Sequence, residues 1–197
     1  MIKGVLMDYG GTLDSNGKHW GEVLWEIYRE LKVPVKKEDF RDAYVFGERS
    51  LATHPYILPE HNFLDVLSVK ATIQLDRLAE TGKLPAKFDR ASTAAGIAAA
   101  GYERAQRAVE AARPIVERIS RRYSLALVSN FYGNIECVLS DFALTPFFLT
   151  VIESARVGVR KPDPRIFSLG AEALGLNPEE TIVVGDSYKK DILPALE

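Results

Sequence analysis

The sequence predicts an α/β protein in which a parallel sheet is covered by helices and an all-helical block is inserted after the first strand. Three observations carry this prediction. Four short apolar runs, at 2–7, 124–128, 148–152 and 181–184, are nearly continuous rather than alternating, as strands buried on both faces are. The last three runs alternate with helical patterns, which is how parallel strands are joined. Between the first and second runs, the apolar spacing is helical throughout.

Taken in order, the first run passes through Val5, Leu6 and Met7 and ends abruptly on Asp8-Tyr9-Gly10-Gly11-Thr12, so a buried strand delivers a carboxylate to the sheet rim. Asp14-Ser15-Asn16-Gly17-Lys18 is turn chemistry and is read as a hinge. Trp20, Leu24, Ile27 and Leu31 then share one helical face, and this helix ends before Pro34. A second helix is expected over 37–51, followed by an irregular stretch containing Pro55 and Pro59. A third covers 62–79 with Phe63, Val66, Leu67, Ile73 and Leu78 inward, and Gly82 to Pro85 end it.

The stretch 91–112 favours helix, as two helices or as one with a bend, because Gly96 and Gly101 each cost about 1 kcal/mol relative to alanine. Pro114 reads as the first position of a further helix with Ile115, Val116 and Ile119 inward. The second strand then ends on Ser129-Asn130. A helix near 134–142 leads to the third strand, and one near 164–174 leads to the fourth, which ends on Gly185-Asp186. The expected division is a core of residues 1–15 and 109–197 and a helical cap of residues 16–108.

Composition narrows the function. A net charge of -2 and a pI near 6.0 leave no basic footprint, so neither nucleic acid nor an anionic membrane is expected as a partner. The single cysteine, Cys137, cannot form an internal disulfide, and the N-terminus runs directly into a strand with no room for a signal peptide. No apolar run approaches the roughly 20 residues of a membrane span. A cytoplasmic protein, monomeric or weakly dimeric, is expected. The segment 187–197 begins a helix that no strand follows, and Leu196-Glu197 would fit a cloning remnant on a shortened chain.

In a parallel sheet, functional groups gather at the carboxyl ends of the strands. That rule brings Asp8, Thr12, Ser129, Asn130, Lys161, Asp186 and Asp191 together from distant positions. Their chemistry is complementary. Carboxylates suit Mg²⁺, while hydroxyls, a lysine and glycine amides such as that of Gly11 suit a phosphate.

Asp8-Tyr9-Gly10-Gly11-Thr12-Leu13, Val128-Ser129-Asn130, Lys161-Pro162-Asp163-Pro164 and Val184-Gly185-Asp186-Ser187 with Asp191 resemble, in order, the four motifs of the haloacid dehalogenase superfamily. The resemblance implies a Rossmann-like core with a mobile cap, and a Mg²⁺-dependent phosphatase acting on a small phosphorylated molecule. It implies Asp8 as the nucleophile and Lys161 as its charge partner. Gly11, Thr12, Ser129, Asn130 and Lys161 would hold the phosphate, and Asp8, the Gly10 carbonyl, Asp186 and Asp191 the metal.

One position departs from the pattern. Where phosphatases of this family usually carry a second aspartate as general acid and base, this chain has Gly10, which leaves a histidine (His19, His54 or His61) or a water to replace it. A weakened phosphate- and metal-binding pseudoenzyme is therefore the alternative, followed by a haloacid dehalogenase. A phospho-accepting receiver domain fits least.

Overall fold

In the computed structural model, which describes residues 1–197, β1 (Gly4–Met7), β2 (Ser124–Ser129), β3 (Thr150–Glu153) and β4 (Thr181–Val184) form one parallel sheet in the order β3-β2-β1-β4. Met7 lies opposite Leu127 on one side and Val184 on the other, so three strands end at one level of the sheet. The Asp8 amide still donates to the Val184 carbonyl at 2.9 Å, which fixes Asp8 at that rim.

The helical block comprises α1 (Trp20–Glu30), α2 (Lys37–Thr53), α3 (Phe63–Glu80) and most of α4 (Arg90–Ser120). Its starts are chemically marked. His19 caps α1, and Asn62 and Asp65 close a reciprocal capping box on α3. After β2 come α5 (Ile135–Asp141), the short α6 (Ser154–Val157) after β3, and α7 (Arg165–Ala173) before β4.

The two sheet faces are packed differently. Leu6, Ala126, Val128, Ile152, Ile166 and Phe167 form a small cluster under α7. Val5, Met7, Leu125 and Leu127 face the other way, into a continuous apolar core shared with the cap helices and α5. Tyr9, fully buried just past β1, meets Phe63 of α3 and Phe131 beyond β2 edge-on, at 6.1 and 5.7 Å between ring centres. Cap and core are thus packed directly on each other. The Asn134 side chain reinforces the seam by donating to the His61 carbonyl at 2.8 Å.

Three expectations are corrected. Pro114 does not begin a helix; it lies inside the 31-residue α4, which runs through the expected 108/109 division. Val109 and Val116 on either side of it are buried, so packing holds the rod together across the backbone bond that proline cannot make. The fourth run is not covered on both faces, because β4 is an edge strand with Ile182 and Val184 exposed. The inner stripe of α3 includes Lys70 and Gln74, with Ile73 only packed against its margin. The Tyr28 hydroxyl donates to Gln74 Oε1 at 3.1 Å, while the buried Gln74 Nε2 has no partner. No helix is long and apolar enough to cross a membrane.

Candidate active site

Asp8, Ser129, Lys161, Asp186 and Asp191 meet at the carboxyl end of the sheet around a cavity of about 270 Å³, whose far side is built by the cap. Lys161 is its electrostatic centre. Its buried Nζ donates to Asp8 Oδ1 at 2.7 Å and to Asp191 Oδ1 at 2.6 Å. The second oxygen of Asp8 accepts the Thr12 hydroxyl at 3.1 Å, and that of Asp191 accepts the Ser187 amide at 3.0 Å. Asp8, Asp186 and Asp191 each present an oxygen within 4.8 Å of the others.

Lys161, with Lys190 also bordering the cavity, does not balance three carboxylates. Burial, followed by the opposing effects of Lys161 and Asp191, leaves the Asp8 carboxyl above its usual range. Burial and then Asp191 raise Asp186 as well. An all-oxygen donor set with surplus negative charge fits a hard divalent cation. Gly10 borders the same cavity and its carbonyl accepts no backbone hydrogen bond, which leaves that oxygen free to act as a fourth ligand.

Two glycines are dictated by these carboxylates. Gly11 has φ +92, and a Cβ there would lie 2.5 Å from Asp186 Oδ2. A Cβ at Gly185 would overlap the Asp191 carboxylate. Gly10 differs, since a Cβ there would meet nothing within 4 Å.

Several predicted phosphate contacts are engaged differently. The Gly11 amide donates to Asp14 Oδ1 at 2.7 Å, so Gly11 supplies close approach rather than a free donor. Thr12 is not among the cavity-lining residues and is directed at Asp8. The Asn130 side chain is spent on the Lys161 backbone, accepting its amide at 2.9 Å and donating to its carbonyl at 3.1 Å. Asn130 thus positions Lys161. Ser129 and Lys161 remain turned to the cavity, and of the three histidines only His19 borders it.

Asp14, expected to open a hinge, is instead held in place. It is buried and accepts both the Gly11 amide and the Trp20 indole N–H, the latter at 2.9 Å, which fastens the first cap helix to the β1 turn. The signal lay in the Trp20 that follows, a donor that must find an acceptor when buried. Burial raises the Asp14 carboxyl to about 7, against the opposing Gly11 and Trp20 bonds.

The folded state therefore holds this proton to higher pH than the unfolded chain does. The associated stability is fully present below the ordinary value of 3.8 and is lost as pH rises through about 7. Asp14→Asn should flatten the fall in stability across that window, at a pH-independent cost of about 1 kcal/mol for the mismatched Trp20 bond. Urea melts of both proteins at several pH values across the window check this, and parallel profiles would refute it.

The cap side of the cavity carries Tyr44 and Glu48 of α2, Phe63, Val66 and Lys70 of α3, and meets Tyr132 from the loop after β2. Sequence reading found none of these as site residues. The available signal was a lysine on the inner stripe of α3, four residues after Val66 and seven after Phe63.

The family model described as haloacid dehalogenase-like hydrolase matches residues 2–197. The chain is 37% identical over 84 residues to a phosphoserine phosphatase of Thermus thermophilus, a stretch that covers 42% of this chain and 34% of that protein. It is 48% identical over 59 residues to a glyceraldehyde 3-phosphate phosphatase of Methanocaldococcus jannaschii, covering 30% of this chain and 26% of that protein. The matched stretches thus span only about a third and a quarter of these relatives. The structure of L-2-haloacid dehalogenase from Xanthobacter autotrophicus shares the fold, with a TM-score of 0.59, 22% identity, and coverage of 100% of this chain and 74% of that one.

Proposed function

We propose, because this chain belongs to the haloacid dehalogenase-like hydrolases, that it is a Mg²⁺-dependent phosphatase of small phosphorylated molecules working through an aspartyl-phosphate on Asp8. The observation that carries the reading is Lys161 held between Asp8 and Asp191, with Asp186 completing a carboxylate cluster in the same cavity. The partial similarity to two phosphatases supports it.

In this reading an Asp8 oxygen attacks phosphorus, the bond to the leaving oxygen breaks, and the phosphoryl group is carried on the carboxylate. Thr12 holds the other Asp8 oxygen and so orients the attacking one. Lys161 and Ser129 face the cavity where charge develops on the phosphoryl oxygens. Water then attacks phosphorus, the bond to Asp8 breaks, and phosphate leaves with Asp8 restored. Asp8, Asp186, Asp191 and the Gly10 carbonyl would hold Mg²⁺, which supplies charge neutralisation and orientation when bound.

The protonation of the leaving group is the weak step, since Gly10 offers no carboxyl. Acyl and aryl phosphates, whose leaving groups need no proton, should be turned over faster than alkyl phosphates by about 10²-fold or more, and the phosphoenzyme should accumulate. Burst kinetics with acetyl, phenyl and propyl phosphate test this with and without EDTA, using Asp8→Asn as control. Equal rates without a burst would refute the missing-acid reading, and turnover that survives EDTA or Asp8→Asn would refute the mechanism itself. Mg²⁺-dependent binding with no turnover of any ester would instead favour a phosphate sensor, the reading that Gly10 supports.

A further inference from the structure

One cluster bordering the cavity plays no part in the chemistry above. Lys70 Nζ lies 2.7 Å from Glu48 Oε1, and the lysine side chain is only 9% exposed. The Tyr132 hydroxyl donates to Glu48 Oε2 at 3.0 Å, and the Lys70 ammonium stands 5.6 Å from the centre of the Tyr132 ring. Burial opposes ionisation of both partners, but their mutual attraction prevails, keeping Glu48 low and Lys70 well above its usual value. The roof of the cavity therefore carries one full positive and one full negative charge in contact.

The hydrogen bonding of this pair is incomplete. Although the two groups touch at 2.7 Å, Glu48 Oε1 is buried and accepts no other hydrogen bond. An ion pair whose lysine is enclosed and whose Glu48 side chain is 32% exposed is weak evidence of stabilisation, since an apolar pair of similar volume would often serve a packing role as well. Here the pair borders a small cavity, opposite a phosphate-type floor, and Glu48 keeps part of its side chain exposed.

We propose that Glu48 and Lys70 form the specificity site of this cavity and receive the end of the substrate remote from its phosphate. They select an end of zero net charge that offers both a donor and an acceptor, either neighbouring hydroxyls or an ammonium–carboxylate head. This rests on the phosphatase reading above. A hydroxyl bridges the pair by accepting from Lys70 while donating to Glu48. A zwitterionic head meets both charges with their opposites. A lone carboxylate gains Lys70 but is pressed against Glu48, and an apolar end leaves both groups dry and unpaired.

Four three-carbon esters of comparable leaving group separate these cases: phosphoserine, glycerol phosphate, 3-phosphoglycerate and propyl phosphate. Their dissociation constants are measured by calorimetry on Asp8→Asn with Mg²⁺, which removes any dependence on turnover. Phosphoserine or glycerol phosphate should bind at least about tenfold more tightly than the other two, and whichever binds best identifies the source of the neutral end. The double variant Lys70→Met with Glu48→Gln avoids stranding one buried charge and should reduce the gap to about threefold or less; should it fail to fold, the four esters alone decide. Equal binding of all four, tightest binding of 3-phosphoglycerate or propyl phosphate, or no binding overturns the proposal. Acetyl phosphate turnover by the unmodified protein is read separately. If it is absent while the binding order holds, the phosphatase reading fails and the specificity site stands; if it is present while the order is lost, the reverse is true.

Discussion

Gly10→Asp is expected to raise kcat for alkyl phosphates by about 10²- to 10⁴-fold, a lowering of the barrier by roughly 3 to 5.5 kcal/mol. The backbone allows it. Gly10 lacks the left-handed φ of Gly11, and its new Cβ would have open space within 4 Å on the cavity wall. The surrounding carboxylates favour a protonated newcomer, because burial and Asp191 already push Asp8 upward. That is the state a general acid must start from. Phenyl phosphate needs little protonation of its leaving group, so its phosphorylation step should gain far less, and the alkyl-to-aryl ratio of burst-phase phosphorylation rates is the diagnostic measurement. A variant that accelerates neither ester would show that the acid is supplied elsewhere, with His19 at the cavity wall the first residue to examine.

Lys161→Met should have the largest combined effect on activity and stability. Its ammonium lies against two buried carboxylates at 2.7 and 2.6 Å, and methionine would leave both uncompensated. Breaking such a buried contact typically costs about 3–5 kcal/mol. For a chain of this size that is a fall in Tm of about 6–20 °C. Turnover should drop by about 10²- to 10³-fold through lost stabilisation of developing charge. Mg²⁺ should stabilise the variant more than the parent, since three unneutralised carboxylates bind a cation more strongly and bound ligand raises apparent stability. Thermal melts with and without Mg²⁺ check the combination, and a Tm within about 2 °C of the parent would contradict it.

The convergence of the candidate site residues was legible in the sequence, whereas the choice of partners among them was not. Asp8, Ser129 and Asp186 stand at the ends of apolar runs, and a parallel sheet collects such ends. Which atom each polar group engages depends on distances that strand order alone does not set. Asn130, expected at the phosphate, binds the Lys161 backbone, and the Gly11 amide donates to Asp14. Pro114 followed a sound local rule for helix starts, but Val109 and Val116, buried on either side, outweigh it. Lys70 was illegible for a different reason: an amphipathic helix carries many lysines, and only the position of Glu48 on another helix gives this one an ionic partner.

The single long helix α4 also makes the cap and the sheet one mechanical system. At 1.5 Å per residue its 31 residues span about 46 Å. One end packs with the cap, while Arg113 near the other donates to the Phe142 carbonyl at 3.0 Å and Val116 is buried beyond it. Such a rod transmits torque instead of absorbing it as a loose tether would. Its most compliant point is Pro114, where one rung of the backbone ladder is missing. With Asp14 clamping the other crossing, the cap resembles a lever with one soft fulcrum rather than a lid on two strings.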